Sequence, residues 1–272
     1  MRVLLLLAAT IATAQPPVGE IMSRVAANLD RGVESRKSYV YNEKIYTRFL
    51  RTNSKLAREE RREYSVSPMP GGTEKKLVSF SGQYLKGKQL IPYDEPEFRS
   101  KDLDLDGELI EDFASDLLDD KESKDGVDMD LFPFRGKDLP GYRFKLVKSE
   151  TYRNRPVYRI AFEPVNPRDF QHPWAGEALI DTEDLHPVSI QTKLAPKLPL
   201  AVRTLLGTNI QQTGFSLTYT RLEPGVWFPA TYGTEMRLDV LFGYKRVITM
   251  SMEAYGFRRV ATDTSITFHS DR

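Results

Sequence analysis

The sequence predicts a mainly β protein of the α+β class, in which one large, curved antiparallel sheet lies over a few helices. Two observations lead to this prediction. Roughly ten segments alternate apolar with polar side chains at a period of two, which is typical of strands with one buried face. The turns between them are too short for the crossover connections that parallel strands need. We therefore expect a single domain over residues 15–272.

The composition excludes several classes of protein. The chain has 272 residues, with 39 Lys and Arg against 38 Asp and Glu, and no cysteine. A disulfide scaffold, a thiol nucleophile and a cysteine-based zinc site are therefore ruled out. The near-zero net charge argues against nucleic acid as the main partner, because phosphate binding needs a surplus of basic residues.

Residues 1–14 have the layout of a secretory signal peptide. The basic Arg2 precedes an apolar run over 3–9, and the residues at 12–14 fit a small-x-small cleavage pattern. The apolar run is too short to span a bilayer. We expect cleavage after Ala14 and a soluble protein that is periplasmic or otherwise exported, with no transmembrane segment after cleavage. The alternative is a buried N-terminal strand.

The mature chain begins with an amphipathic helix, predicted over 18–33. Two prolines precede it, and Gly32 is expected to end it. Its apolar residues recur at helical spacing on one face. They are Val18, Ile21, Met22, Val25 and Leu29.

After this helix the apolar period changes to two. A charged stretch over 55–64 is interpreted as the returning strand of a first hairpin. Its basic residues Arg58, Arg61 and Arg62 alternate with glutamates, which predicts a salt-bridged face in solvent rather than a phosphate-binding patch. The predicted strands cover 39–49, 55–64, 76–85, 142–147, 158–163, 174–181, 188–194, 215–222, 232–242 and 245–257.

Two segments interrupt the strands. Residues 94–130 form an acidic insert with 16 acidic and 4 basic residues, and apolar residues at helical spacing predict a helix over 108–120 within it. Residues 196–207 are rich in apolar side chains. We expect a short helix there, lying on the apolar face of the sheet.

The sequence offers little for catalysis. None of the histidines His172, His186 and His269 has a second histidine three or four residues away, so we expect them in structural or surface roles. The chain has no nucleophile elbow, phosphate-binding loop or dinucleotide motif. We therefore predict a protein that is not an enzyme and needs no cofactor.

One acidic run is a weak calcium candidate. Asp102, Asp104 and Asp106 alternate before Gly107, as in the first half of an EF-hand loop. Phe113 replaces the bidentate glutamate at the twelfth position, and the other interpretation is a solvated acidic loop before a helix. A carboxylate- or calcium-dependent hydrolase is accordingly the least favoured function.

An apolar sheet face needs cover, and few helices are available to provide it. Either the sheet curls tightly over those helices, or a groove remains for an apolar ligand. A packed core and an open groove share the same hydrophobic pattern, so both interpretations stay open at this point.

Two turns carry a resemblance to a known superfamily. Residues 174–188 form a strand with a Gly-x-hydrophobic-x-Ile-Asp step, an acidic turn and a second strand after a proline, and residues 222–229 read Leu-Glu-Pro-Gly-Val-Trp-Phe-Pro. This pattern resembles the periplasmic outer-membrane lipoprotein carriers of the LolA/LolB-like superfamily, RseB-like relatives included. The resemblance implies an incomplete antiparallel barrel wrapped over helices, with acyl chains held in an apolar concavity and no covalent chemistry.

On this resemblance, the partners are lipid or lipoprotein acyl chains, and an envelope protein is a second candidate partner. The acidic insert and the length of the chain depart from the superfamily. A periplasmic protein-interaction or sensing module is therefore the alternative function. The candidate cavity residues are Met22, Val25, Leu29, Tyr39, Tyr41, Ile45, Phe144, Tyr158, Ile160, Phe162, Ile180, Ile190, Met236, Leu238 and Val240.

Overall fold

The computed structural model describes residues 16–69, 72–118, 134–166, 174–194, 208–240 and 243–260. The predicted signal peptide at 1–14 and the predicted short helix at 196–207 lie outside these ranges. Within the described ranges, no helix is long and apolar enough to cross a membrane.

The first element is helix α1 (Val18–Arg36), whose apolar face is buried against the sheet. It continues a turn beyond Gly32, so the prediction that Gly32 ends the helix is wrong. A Cβ atom at Gly32 would lie 2.9 Å from Nη1 of Arg36, which shows that this glycine makes room for a close approach. Arg36 is itself buried, and its guanidinium donates to the carbonyl of Trp227 at 3.3 Å.

Eleven antiparallel strands form one sheet that does not close, as the alternating pattern predicts. The short edge strand β4 is the one described strand that the pattern did not predict, because its five residues include a proline and too few alternations. The strands are β1 (Tyr39–Leu50), β2 (Leu56–Met69), β3 (Gly72–Lys86), β4 (Gln89–Tyr93), β5 (Tyr142–Tyr152), β6 (Arg155–Pro164), β7 (Trp174–Asp181), β8 (Pro187–Leu194), β9 (Thr208–Glu223), β10 (Val226–Val240) and β11 (Tyr244–Arg259).

The strand order joins two meanders through the first and last strands of the chain. It runs β4-β3-β2-β1-β11-β10-β9-β8-β7-β6-β5, with β1 antiparallel to β11. The edges are therefore β4 and β5, although these two strands follow one another in sequence. Residues 94–141 therefore connect the two edges of the sheet. The predicted acidic insert forms most of this connection.

Both helices lie on the same face of the sheet, which we call the inner face. A first apolar cluster packs α1 against β5 to β10, and a second, rich in aromatic residues, covers parts of β1, β2, β10 and β11. A third cluster lies under helix α2 (Leu105–Leu118), which begins three residues before the predicted start. The inner face is therefore divided between two helical covers.

Candidate functional site

The predicted cavity residues lie on the inner face, as the strand register shows. Phe144 pairs with Phe162, and Tyr158 pairs with Ile180, across β5, β6 and β7. Directly paired residues share one face of a sheet, so these side chains form one continuous apolar face across the three strands. The alternating pattern thus predicted the correct face, while a role in ligand binding stays a prediction.

Beneath α1 these residues form a filled core. Phe144 and Tyr158 are partly buried at its margin. The fully buried candidates, each at most 4% exposed, are Met22, Val25, Leu29, Ile160, Phe162, Ile180 and Ile190. Among the described residues, this half of the inner face is therefore buried core and not an open groove.

The apolar face of the sheet continues past α1 onto β1, β10 and β11. The candidates on these strands are Tyr39, Tyr41, Ile45, Met236, Leu238 and Val240, the last with a side chain that the structure does not describe. Ile45 pairs with Met252, and Phe49 and Met236 both pair with Ile248. We call this surface the α2 face. It consists of Ile45, Phe49, Met236, Leu238, Ile248, Met250 and Met252.

Helix α2 covers part of the α2 face. Among its described side chains, Ile110 is 2% exposed and Ala114 is 7% exposed, with Leu109 partly buried beside them. The segment that carries α2 is rich in acidic residues. Three of these acids meet three arginines of the sheet, so ion pairs contribute to the docking of α2.

The first ion pair joins Asp104, just before α2, to a buried arginine of β2. Oδ1 of Asp104 accepts the N–H of Gly107 at 3.1 Å, as the N-cap of a helix does, and Oδ2 accepts the N–H of Ser100 at 2.8 Å. Oδ2 also lies 3.0 Å from Nη1 of Arg58, which is 1% exposed. A Cβ atom at Gly107 would lie 2.7 Å from the same Nη1, so glycine leaves room for this pair.

The second ion pair joins Glu111 of α2 to Arg62 of β2. Nη2 of Arg62 lies 2.7 Å from Oε2 of Glu111 and 2.7 Å from Oε2 of Glu60. Glu60 also accepts the hydroxyl of Tyr93 at 2.6 Å, and Nη2 of Arg58 lies 3.3 Å from it. Each buried charge thus has an opposite charge beside it, as burial requires.

The third ion pair joins Asp106 of α2 to Arg246 of β11. Nε and Nη2 of the arginine donate to the two carboxylate oxygens at 2.7 and 2.8 Å, which is a bidentate arrangement. The hydroxyl of Tyr244 donates to the same carboxylate. Helix α2 is therefore fixed at three points, on β2 and β11.

The charged run of β2 was predicted to face solvent, and this prediction is wrong for alternate residues. Arg58, Glu60 and Arg62 point to the inner face and are 1%, 2% and 6% exposed. Arg61 points outward, with 60% of its side chain exposed. The partners of the inward arginines lie 46 and 49 residues along the chain, so the local pattern showed alternating signs but not burial.

The aspartates of the calcium candidate do not converge on one point. Asp104 and Asp106 bind different arginines, and α2 begins between them. Among the described residues, the trio with carboxylate oxygens within 4.8 Å of one another is Asp181, Glu183 and Asp184. Arg155 and Arg221 pair with that trio. The arrangement thus gives no support to calcium at Asp102, Asp104 and Asp106.

The ion pairs lower the pKa of two carboxyl groups that hold α2. Burial alone would raise the pKa of Asp104, but hydrogen bonds from Ser100 and the charge of Arg58 outweigh it and bring the pKa below its usual value. Burial also opposes ionisation of Glu111, and Arg62 outweighs it, so that its pKa is lowered as well. Both groups are therefore ionised while α2 is docked.

His186 is buried and stacked on an indole ring. It is 2% exposed, its ring centroid lies 5.2 Å from that of Trp227, and Nδ1 lies 2.8 Å from the carbonyl oxygen of Pro187. Burial lowers its pKa to about 3, so the imidazole is neutral at physiological pH. This packing agrees with a structural role. His172 and His269 lie outside the described residues.

Two cavities that described residues line are polar in character. One, of about 250 Å³, lies at the start of α2 and is lined by Arg51, Lys101 and Tyr244 among others. The other, of about 360 Å³, lies between α1 and two turns, next to His186 and Trp227. Neither is lined by a predicted cavity residue.

The chain was compared with known proteins by sequence and by structure. No family model matches it, and no curated protein matches it. Similar solved structures include a DUF1329 family protein from Desulfovibrio piger, which is 11% identical, with 93% of this chain and 96% of that chain covered and a TM-score of 0.38. A domain described as an outer membrane lipoprotein-sorting protein, from Vibrio parahaemolyticus, is 10% identical, with 90% and 95% covered and a TM-score of 0.34.

A LolA superfamily protein from Nitrosomonas europaea is also similar in structure. It is 8% identical, with 87% of this chain and 93% of that chain covered and a TM-score of 0.33. The superfamily that the turn motifs resemble is thus among the proteins found by comparing structures.

Proposed function

We propose that the protein is an exported carrier without enzymatic activity, which binds lipid or lipoprotein acyl chains on the α2 face. One observation carries this proposal. The apolar face of the sheet continues past α1, and the helix that covers part of it is held there by three ion pairs. The turn motifs that resemble those of lipoprotein carriers also support it.

The side chains of the α2 face suit a flexible apolar ligand. Met236, Met250 and Met252 contribute unbranched, adaptable side chains to it. An acyl chain gains about 0.8 kcal/mol for each CH₂ group that it buries. A chain of several methylene groups therefore offsets the loss of the apolar contacts that Leu109 and Ile110 make.

The ion pairs of α2 suit a cover that leaves and returns. A buried ion pair specifies one docked position but adds little net stability, because its charges regain hydration when they separate. After α2 leaves, Glu60 still lies beside Arg58 and Arg62, so the sheet retains a partner for both guanidinium groups.

Export to the periplasm is part of the proposal and rests on the sequence of residues 1–14. Delivery of lipoproteins to an outer membrane is the specific role that the resemblance implies. Its test is whether the acylated species that the protein holds in the cell envelope is a lipoprotein.

The proposal is tested by native mass spectrometry of protein from the envelope, purified without detergent, followed by organic extraction. We expect a bound acylated species in the wild type. Met236→Gln with Met252→Gln places polar groups on the partly exposed margin of the α2 face and should weaken acyl binding roughly tenfold or more, given about 1.5–3 kcal/mol per buried side chain. Val147→Gln with Val165→Gln, at exposed positions, is the matched control. A clean apo mass, with no uptake of added lipid, contradicts the proposal.

The free edge of β3 favours a second candidate function, the binding of a partner protein. Residues 72–81 pair with β2 on one side, and among the described residues no strand pairs on the other side. Val78, within this edge, is 61% exposed. An extended peptide adds readily to such an edge. If Val78→Lys abolishes capture of an envelope protein, and acyl binding is absent from the wild type, this second function replaces the first.

A further inference from the structure

The charges of the chain are separated between two parts. The segment 94–130 has 16 acidic and 4 basic residues, which leaves 35 basic against 22 acidic residues in the rest of the chain. The net charge of the whole chain is near zero, but the residues outside 94–130 are strongly basic.

Exposed basic side chains are concentrated at one end of the sheet. The β1–β2 turn and the β3–β4 turn lie at the same end, because alternate connections of an antiparallel meander do so. The cavity at the start of α2 is lined by Arg51, Leu85 and Lys101, which brings the loop before α2 to the same place. We call the exposed cations there the basic rim. They are Arg51, Lys55, Lys86, Lys88 and Lys101.

The cations of the basic rim are available for binding. Within the described part of the chain, none of the five forms an ion pair, whereas Arg246 beside them is paired with Asp106. Asp102 is the exposed acid next to Lys101. Glu108, in the first turn of α2, is a second exposed acid, so among the described residues the rim has five cations against two exposed carboxylates and stays positively charged.

Exposed leucines lie among these cations. Leu103 is 66% exposed, Leu90 is 43% exposed and Leu105 is 36% exposed, and of the described leucines these are the exposed ones. Leu103 and Leu105 line the same cavity as Arg51 and Lys101. Large apolar side chains ringed by lysine and arginine match the boundary between headgroups and acyl chains of a bilayer.

We propose that the basic rim and its three leucines dock the protein onto the surface of an anionic phospholipid bilayer. The cations contact lipid phosphates, and the leucines enter the interface beside them. This inference rests on the proposed carrier function, since a lipid carrier has to meet a membrane to load or unload. The rim adjoins the start of α2, so docking brings the cover of the α2 face to the membrane surface.

The test is flotation of the full chain with vesicles of phosphatidylglycerol and phosphatidylcholine, and with vesicles of phosphatidylcholine alone. We expect binding to the anionic vesicles that falls with rising salt, and little binding to the neutral ones. Each cation near an anionic surface contributes roughly fivefold to binding, so Lys86→Gln with Lys88→Gln should weaken it roughly thirtyfold. Leu103→Gln should weaken it further.

The control has the same change in net charge at the opposite end of the sheet. Arg153→Gln with Arg258→Gln alters two exposed arginines there and should leave vesicle binding unchanged. Equal binding to neutral vesicles, or equal loss in both double variants, overturns the inference. If acyl uptake persists without vesicle binding, this inference alone fails. If vesicle binding persists without acyl uptake, the carrier function fails.

Discussion

Arg58 connects the sheet to the segment that begins α2. Its guanidinium lies 3.0 Å from Asp104 and 3.3 Å from Glu60, and it donates to the hydroxyl of Tyr93 at 2.7 Å and to the carbonyl of Phe98 at 2.8 Å. A buried charge of this kind adds little while its network is complete, but without Arg58 the buried Asp104 loses its counter-charge and Glu60 keeps only Arg62. Arg58 therefore matters more for the position of α2 on the sheet than its small net contribution to stability suggests.

Arg58→Ala should lower the free energy of unfolding by about 3–5 kcal/mol, because Glu60 and Asp104 lose a buried partner. Urea unfolding followed by circular dichroism measures the change. Arg61→Ala is the matched control on the same strand, since its own side chain is 60% exposed and its partner Glu59 keeps Arg48, Tyr46 and Gln83, so the loss should be less than about 1 kcal/mol. Equal losses in the two variants would show that the inner-face network is not buried as described.

Two glycines within helices should respond to alanine in opposite directions. Alanine normally stabilises a helix by about 1 kcal/mol relative to glycine. At Gly19 a Cβ atom meets nothing within 4 Å, so Gly19→Ala should stabilise the protein. At Gly107 the Cβ atom would lie 2.7 Å from Arg58 and 2.9 Å from Asp104, so Gly107→Ala should destabilise it. Thermal unfolding of both variants checks the sign, and stabilisation by Gly107→Ala would contradict the close approach.

Helix α2 shows which features of a helix its own sequence predicts and which depend on the rest of the fold. The spacing of Leu109 and Ile110 with later apolar residues predicted the helix, because amphipathic spacing is a local property. Its docking was missed, because the arginines that hold it lie on β2 and β11. The sequence does contain a partial signal, since 94–118 supplies many carboxylates that could pair with arginines of the strands. Which carboxylate pairs with which arginine is known only once the order of the strands is known.

The docking of α2 should depend on pH. Asp and Glu have pKa values of about 3.9 and 4.3 in an unfolded or undocked chain, and those of Asp104 and Glu111 are lower when docked. Docking is therefore fully favoured above the undocked values and is lost as the pH falls through the lowered ones. Hydrogen-exchange protection of α2 should fall as the pH drops below about 4, while that of α1 persists. Equal loss in both helices would contradict this prediction.

At the scale of the whole molecule, local pattern predicted the strands and their faces but not their order. Period-two alternation marked ten of the eleven strands, because a half-buried strand must alternate. The pairing of β1 with β11 joins opposite ends of the chain, and no local feature specifies it. That pairing makes β4 and β5 the edges, so residues 94–141 connect one edge to the other, and α2 within them packs on the inner face.

The central claim is that an acyl chain binds on the α2 face of this open sheet. The most direct measurement is photolabelling with a phospholipid that carries a photoreactive group on its acyl chain, followed by peptide mapping. We expect labels on the inner face of β1, β10 and β11, near Met236, Met250 and Met252. The double variant Met236→Gln with Met252→Gln should carry fewer labels. Labels confined to the outer face, or no labelling above that of the free probe, would contradict it.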